Sequence, residues 1–401
     1  HIPARPSKVW ASLYRLDRFD SNSHSIPSIW EQLKEILQSL HRAVCYIRGL
    51  TQNVLIFLQK GPTMIPVKWG ILSTAKIGRE RVIPAMQKGP LCDIHGISSR
   101  ESAKAREVAS TLGIGKTYES YEELLADPVI EAVYNPLPNH LHVPWSIRAA
   151  EAGKHVLCEK PIAMNATETR ELIKARDRCG VLIEEAFMPR HHPQWKRVRQ
   201  LLQEGKVGEV RAIQAAFSYH NVNPSDVRNQ ADIGGGGLYD IGSYCITLTR
   251  YVFEAPPLRV IALIDWDPQF RTDKLTGAIL DFGEGRQANF ICGTQMTRYQ
   301  GLTILGTKSW IRIDCPFAMP EDWRAKIEIG ANIMPGSAVD TTEVFDPIEQ
   351  YMLQGEEFSK RIRTGGDSMF PLEDALENMK VIDALFRYAK SQSWEIVNQT
   401  E

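Results

Sequence analysis

The chain has 401 residues, 43% hydrophobic and 24% charged, which is typical of a globular protein with room for two domains and an additional segment. Its formal net charge of -1 gives no reason to expect nucleic acid or an anionic membrane surface as a partner. No apolar stretch reaches the ~18–20 residues that span a bilayer. The 7 cysteines show no C-x-x-C spacing, which argues against zinc and redox-dithiol sites and favours a reducing, cytoplasmic location.

Residues 1–63 lack the alternation of strands and helices that follows, although apolar residues between Leu33 and Ile47 recur at helical spacing. Met64 stands directly before a strong strand pattern, Val67 to Leu72. We therefore expect the working protein to start near Met64. Residues 1–63 are then an N-terminal extension outside the catalytic fold.

From residue 64 to residue 187 short apolar runs alternate with helical patterns. This alternation is typical of an α/β domain with a parallel sheet and right-handed crossovers, the Rossmann arrangement that binds dinucleotides. The predicted strands are residues 67–72, 93–97, 132–134, 155–158 and 181–183. The predicted helices are residues 76–87, 102–112, 121–127, 143–152 and 166–179.

Residues 188–395 show longer alternating runs with short connections, such as the hairpin signal Gly283-Glu284-Gly285. The pattern predicts a second, α+β domain built on an open, mainly antiparallel sheet. Its predicted strands are residues 210–219, 258–264, 277–282, 287–292 and 302–305. Two C-terminal helices, near residues 346–362 and 371–391, are expected to return to the first domain.

The first strand runs into a turn whose small residues occupy the positions of the dinucleotide fingerprint G-x-G-x-x-G/A. Ser73, Ala75 and Gly78 stand at the three glycine positions. The helix that follows still offers free N–H groups and a partial positive charge to a phosphate. The candidate cofactor-binding residues of this turn are Ser73, Thr74, Ala75, Ile77 and Gly78.

The end of the second strand bears on the choice of cofactor. NAD-specific sites place an acid there for the ribose 2′-hydroxyl, whereas this chain has Ser98, Ser99 and Arg100. An arginine can pair with a 2′-phosphate, so the sequence favours NADP. Glu101 is adjacent, which leaves NAD possible.

The third strand runs into a loop, residues 135–142, that two prolines stiffen and that should cross the sheet edge near the nicotinamide. Its candidate cofactor-binding residues are Pro136, Leu137, Asn139 and His142. His140 and His142 could suggest a metal site. No third ligand stands at a matching spacing, so no metal is predicted.

Glu159, Lys160 and Pro161 follow a short apolar run, and the proline ends that strand because it cannot donate a ladder hydrogen bond. Ligands of open α/β sheets bind outside the carboxyl ends of the strands. Lys160 is therefore a candidate catalytic residue, and Glu159 and Lys160 are candidate cofactor contacts.

A run of four glycines, Gly234 to Gly237, precedes Asp240 and Tyr244, which share one face of a predicted helix. Such glycines allow a loop to approach a ligand closely. A phenol can act as acid or base, and a lysine ammonium ~4 Å away could lower its pKa from about 10 by roughly 3. The sequence thus favours Tyr244 as the acid/base, with Lys160 lowering its pKa and Asp240 beside it.

These motifs, in this order together with residues 185–193, resemble those of the Gfo/Idh/MocA family over about residues 64–395. A tyrosine at position 244 is similar to the branch with glucose–fructose oxidoreductase, xylose dehydrogenase and dimeric dihydrodiol dehydrogenase. The resemblance implies catalysis by Lys160, Tyr244 and Asp240. It also implies that Arg190, His191 and Arg228 line or buttress the substrate pocket and that the second sheet forms a homodimer or homotetramer.

The predicted function is hydride transfer between NADP and a CH–OH or C=O group of a sugar or related polyol, as in an aldose dehydrogenase. A dihydrodiol dehydrogenase and an anhydro-sugar or carbonyl reductase are alternatives within the same class. A non-catalytic NADP-binding regulator is the alternative of another class, and the retention of Lys160, Asp240 and Tyr244 argues against it.

Overall fold

The structure is a computed structural model and describes residues 64–331 and 339–398. The predicted extension over residues 1–63 lies outside the described residues. Among the helices of the described ranges, none is both long and apolar enough to cross a membrane.

Within these ranges the first sheet is parallel throughout, with strand order β3-β2-β1-β4-β5-β6. Its strands are β1 (Val67–Leu72), β2 (Cys92–Ser98), β3 (Lys116–Tyr118), β4 (Ala132–Asn135), β5 (His155–Glu159) and β6 (Ile183–Ala186). The helices are α1 (Ile83–Met86), which continues a π turn over Gly78–Val82, α2 (Ser102–Leu112), α3 (Tyr121–Ala126), α4 (His142–Glu151) and α5 (Ala166–Cys179). The strand order reverses between β1 and β4, which is where sheets of this kind bind ligands.

The second sheet has the order β14-β13-β12-β11-β7-β10-β9-β8-β15 in the described residues. Its strands are β7 (Val210–His220), β8 (Arg259–Trp266), β9 (Asp273–Gly283), β10 (Arg286–Gly293), β11 (Gln295–Gly306), β12 (Trp310–Ile313), β13 (Ala325–Gly330), β14 (Thr341–Phe345) and β15 (Glu395–Ile396). Neighbouring strands are antiparallel except β7 and β10, which run parallel. The predicted β9–β10 hairpin is confirmed, with Glu284 and Gly285 both at positive φ.

The remaining helices are α6 (Pro193–Gln203), α7 (Ser243–Phe253), which continues a π turn over Leu238–Gly242, α8 (Gln350–Thr364) and α9 (Leu372–Ser391). Both C-terminal helices return to the first domain as predicted. On α8, Phe358 packs 5.5 Å from the Trp69 ring of β1, and Ser359 accepts the Trp69 indole N–H at 3.1 Å. On α9, Asp383 accepts the backbone N–H of Ala166 at the start of α5.

Two parts of the strand prediction differ from the structure. β6 begins at Ile183 rather than at residue 181, because Glu184 and Glu185 are buried strand residues and their charge hides the strand pattern. Each has a partner, since Glu185 accepts the Ile162 N–H and Glu184 accepts the Met369 N–H. β3 and β12–β15 were not predicted, because they are short and contain charged residues that pair across strands.

Candidate active site

A cavity of about 1360 Å³ extends from the carboxyl edge of the first sheet to β7 and β11 of the second sheet. Pockets for one small ligand usually measure roughly 300–1,000 Å³, so this cavity has room for a dinucleotide and a second molecule. It brings together Lys160, Asp240 and Tyr244. The other predicted site residues that line it are Ser73, Thr74, Ala75, Ile77, Ser99, Arg100, Pro136, Leu137, Asn139, His142, Glu159 and Arg228.

Two predicted cofactor residues do not line the cavity. The Ser98 side chain is fully buried and its hydroxyl donates to the Ile71 carbonyl at 3.3 Å, so it is not available to a ribose. Gly78 is buried where the first helix meets β4, and a Cβ at this position would lie 3.5 Å from the Tyr134 ring. Its role is helix–sheet packing.

Arg190 and His191, predicted to line or buttress the substrate pocket, do not line the cavity. Arg190 is 3% exposed, pairs with Asp374 and lies 3.8 Å over the Phe370 ring. His191 packs edge-on against the same ring and lines a separate cavity of about 150 Å³. Arg190 does act as a buttress, because Phe187 lies between it and Tyr244.

The turn after β1 has the geometry of a glycine turn although it begins with serine. Ser73 has a φ of 100°, a region that costs a non-glycine residue about 1–3 kcal/mol. The first helical hydrogen bond runs from the Arg79 N–H to the Ala75 carbonyl, so the N–H groups of residues 76–78 have no acceptor within the helix. This turn therefore fits the pyrophosphate of a dinucleotide despite its two replaced glycines.

The end of β2 presents a serine and an unpaired arginine to the cavity. Ser99 accepts the Glu101 N–H at 3.3 Å, and the Glu101 carboxylate pairs with Lys104 at 2.9 Å. Among the described residues, no carboxylate lies within ion-pair distance of Arg100. The acid that could have bound a ribose 2′-hydroxyl is thus occupied, while the guanidinium is available to a phosphate.

The loop after β4 is held by two polar side chains. Asn139 donates to the Gly234 carbonyl at 2.8 Å. His142 is 1% exposed, and its two ring nitrogens lie 2.7 Å from the carbonyl oxygens of Leu137 and Pro161. Burial is the largest effect on His142 and lowers its pKa to about 4, whereas the two carbonyl oxygens favour a ring that carries both protons. The residue ties this loop to the chain beside Lys160, and it has no nitrogen left for a metal.

Asp240 is the centre of the charged network in the cavity. The Lys160 ammonium donates to one carboxylate oxygen at 2.9 Å and to the Asp240 carbonyl at 2.7 Å. The other carboxylate oxygen accepts the Tyr219 hydroxyl at 2.6 Å and the Arg228 Nε at 3.0 Å. Burial alone would raise the pKa of Asp240, but the charges of Arg228 and Lys160 outweigh it and hold the pKa well below its usual range.

Tyr244 faces Lys160 with its ring rather than with its hydroxyl. The ammonium lies 5.0 Å from the ring centroid, and the hydroxyl donates to the Met188 sulfur at 3.7 Å. Burial is the largest effect on this phenol and raises its pKa well above the usual value. The expectation that Lys160 lowers the Tyr244 pKa is therefore wrong for this geometry, because the ammonium is committed to Asp240.

The glycine run lines the cavity at Gly234, Gly235 and Gly236 and also packs closely within the protein. A Cβ on Gly234 would lie 2.6 Å from the Met164 sulfur, and one on Gly235 would lie 2.7 Å from the Arg228 carbonyl. Gly234 also has a φ of 87°. These contacts hold Arg228 and the start of the π turn close to the loop after β4.

Several residues that line the cavity belong to no sequence motif, so the sequence alone could not identify them. Tyr351 comes from α8, more than a hundred positions after the last predicted site residue. Others come from β7 with the residue after it and from β11, where alternation predicts a strand but not which end meets the cavity: Phe217, Tyr219, His220, Asn221, Met296, Thr297 and Arg298.

Comparison with known families agrees with this architecture. Residues 67–187 match the oxidoreductase family with an NAD-binding Rossmann fold, and residues 195–312 match the GFO/IDH/MocA C-terminal domain. The chain belongs to the Gfo/Idh/MocA family of oxidoreductases. The predicted family, the two-sheet fold, the enzyme class and an NAD(P) cofactor are confirmed.

Individual relatives are similar over nearly their whole length. An uncharacterised oxidoreductase from Rhizobium meliloti is 46% identical over 331 residues, 82% of this chain and 99% of the relative. The D-xylose 1-dehydrogenase (NADP+) 2 of Haloferax volcanii is 33% identical, covering 80% of this chain and 97% of the relative. A 3-ketoreductase from Actinomadura kijaniata, solved with NADP and TDP-benzene, has a TM-score of 0.75 at 29% identity over 80% of this chain and 97% of that one.

Proposed function

We propose that this enzyme transfers hydride between NADP and a CH–OH or C=O group of a sugar or related polyol, as an aldose dehydrogenase does. The observation that supports this substrate class is the polarity of the cavity beyond Lys160. Beside the apolar Phe217 and Met296, its wall offers polar side chains that make no bond to Asp240: His220, Asn221, Asp226, Thr297 and Arg298. A dihydrodiol would need an aromatic-lined slot, whereas a polyol needs several donors and acceptors.

Relatives support the same class of substrate. The xylose dehydrogenase uses NADP, and the 3-ketoreductase was solved with NADP. That reductase was also solved as a lysine variant and as a tyrosine variant, whose altered residues lie 84 positions apart. Lys160 and Tyr244 have the same separation. We therefore assign Lys160 and Tyr244 as the catalytic pair, with Asp240 as the carboxylate that orients the lysine.

The burial of Tyr244 in the cavity determines its protonation state and therefore its part in proton transfer. Because burial raises the pKa of Tyr244, the phenol holds its proton at neutral pH and can donate it to a substrate carbonyl oxygen during reduction. In the oxidation direction the phenolate form of Tyr244 takes the proton of the substrate hydroxyl, so this direction requires that the phenol first lose its own proton. The Lys160 ammonium, 5.0 Å from the Tyr244 ring centroid, adds positive charge to the cavity in which an oxygen changes charge. When bound, the nicotinamide supplies or accepts the hydride.

We further propose which domain binds the dinucleotide and which supplies the wall of the substrate site. Residues 64–187 bind the dinucleotide, and residues 188–395 supply the substrate wall and return two helices to the first domain. The ranges of the two family matches support this boundary. The network around Asp240 joins the halves, because Lys160 follows β5 whereas Tyr219 lies in β7.

Arg100 is expected to decide the preference for NADP. Replacing it by alanine should raise the KM for NADP about tenfold and leave the KM for NAD unchanged, because a charge-assisted bond to a phosphate contributes roughly 1.5–3 kcal/mol. Steady-state kinetics with both cofactors measure this. Arg106→Ala is the matched control, since Arg106 lies on α2 and pairs with Glu119 outside the cavity. Equal effects of Arg100→Ala on both cofactors would contradict the assignment.

We propose that the outer face of the second sheet joins copies of the chain as a homodimer or homotetramer. Apolar residues of β8, β9, β10 and β11 share this face, with β7 between β10 and β11, and are exposed by 40–81%: Leu263, Ile279, Ile291 and Tyr299. An apolar patch of this kind is unusual on an isolated subunit. Ile291→Glu should therefore yield a monomer in light scattering, whereas Val129→Glu, on an exposed loop of the first domain, should not. A monomeric unmodified protein would overturn this proposal.

The substrate class is tested by following NADP+ reduction at ~340 nm with aldoses, polyols and trans-dihydrodiols, and NADPH oxidation with keto sugars, with NAD(H) in parallel. Nicotinamide turnover with an aldose such as xylose or glucose is the expected result. Turnover confined to trans-dihydrodiols would move the function to the alternative branch.

A further inference from the structure

A buried carboxyl group outside the cavity is attached to the start of the helix that bears Asp240 and Tyr244. Asp273, the first residue of β9, is 1% exposed and does not line the cavity. Its Oδ2 accepts the backbone N–H of Leu238 at 2.6 Å and the Thr276 hydroxyl at 3.2 Å. Leu238 opens the π turn that contains Asp240 and continues directly into α7.

The glycines before this turn are shaped around the same carboxyl group. A Cβ on Gly236 would lie 2.1 Å from Asp273 Oδ1, and a Cβ on Gly237 would lie 3.3 Å from Oδ2. Gly236 has a φ of 126°, a conformation that other residues rarely adopt. The absence of side chains at Gly236 and Gly237 therefore allows the backbone to approach Asp273 closely.

No cation neutralises this carboxyl group in the described part of the chain. Tyr239 and Cys292 face it from the π turn and from β10, and Lys274 beside it pairs with Asp265 at 3.3 Å. Burial raises the pKa of Asp273 to about 7. Its ionisation near neutral pH strengthens it as an acceptor at the N-terminus of the helix.

We propose that Asp273 is a positioning residue for the reaction, which fixes the first turn of the helix and thereby the placement of Asp240 and Tyr244. The proposal rests on the proposed function, since it concerns how those two groups are held. Catalytic groups lose much of their effect when they move by about 1 Å, so the Leu238 anchor has a direct consequence for turnover.

The test compares Asp273→Ala, Asp273→Asn and the matched control Asp267→Ala in the full chain. Asp267 is also buried and accepts two backbone N–H groups, but those belong to the turn between β8 and β9. For each variant, the rate is divided by the concentration of NADPH-binding sites to give kcat per site. A lower yield of folded protein then does not lower the measured kcat. The pH profile of kcat is recorded between about 5.5 and 9.

Asp273→Ala is expected to lower kcat per site at least tenfold with NADPH affinity within twofold of wild type, and Asp267→Ala to leave kcat per site unchanged. Asp273→Asn keeps an acceptor for Leu238, so it should retain kcat within about threefold but lack the wild-type change of kcat near pH 7. A kcat per site within twofold of wild type in Asp273→Ala would overturn the proposal.

Where Asp273→Ala gives no folded protein, the Asp273→Asn profile decides, and a profile superimposable on that of the wild type overturns the proposal. The two failures are distinguishable. Full turnover in Tyr244→Phe removes the proposed catalytic pair whatever Asp273 does. Loss of turnover in Tyr244→Phe with full turnover in Asp273→Ala removes only the positioning role.

Discussion

Lys160→Met is expected to lower kcat at least about a thousandfold while NADPH still binds. The ammonium is the cation between Asp240 and the Tyr244 ring, and it donates two hydrogen bonds to Asp240. Methionine keeps the length of the side chain but removes both the positive charge over the Tyr244 ring and the donor that holds Asp240. Electrostatic and acid–base contributions at such a position are each worth roughly 10²–10⁴-fold. Single-turnover and steady-state kinetics measure the loss.

Lys154→Met is the control for Lys160→Met, and it distinguishes an effect on catalysis from an effect on stability. Lys154 is 6% exposed and donates to the carbonyls of Asp127 and Ile130 at 2.8 Å, so its removal also disturbs a buried lysine. It does not line the cavity. We expect Lys154→Met to lower the free energy of unfolding but to keep kcat per NADPH-binding site. A similar kcat in the two variants would show that Lys160 acts only through stability.

The position of Lys160 could be predicted because one physical rule determines it. A proline ends a buried parallel strand, and the carboxyl ends of such strands meet the ligand crevice. β5 runs from His155 to Glu159, and Lys160 lies in the cavity as expected. The rule that ligands bind at the carboxyl ends of parallel strands also placed the turn after β1 and the loop after β4 at the cavity.

The contacts between side chains could not be predicted in the same way. The sequence places Asp240 and Tyr244 on one helix face, but which of them receives the Lys160 ammonium depends on where β7 brings Tyr219 and where the segment after β7 brings Arg228. Arg190 follows β6 at the sheet edge, yet Asp374 from α9 holds it outside the cavity. Tyr351 belongs to a helix that returns over a long connection, so no local pattern could place it.

Tyr244→Phe is expected to lower kcat at least a hundredfold in both directions, with little change in stability or in NADP(H) binding. The substitution removes one oxygen, whose partner in the structure is the Met188 sulfur, a weak acceptor. Because burial raises the pKa of this phenol, oxidation by the wild type should accelerate as the pH rises from about 7 to 10, and Tyr244→Phe should lack that increase. Rates in both directions across this pH range measure it.

Two neighbouring tyrosines make the assignment specific. Tyr239→Phe loses a hydrogen bond to the Met164 carbonyl outside the cavity, so it should cost stability but not turnover. Tyr219 lines the cavity, but its hydroxyl is committed to Asp240 at 2.6 Å, so its proton is held by a carboxylate that stays ionised. Tyr219→Phe is therefore expected to alter the substrate KM more than kcat. If Tyr219→Phe instead abolished turnover and Tyr244→Phe did not, the proton donor would be Tyr219, and Asp240 would be its direct partner in the reaction.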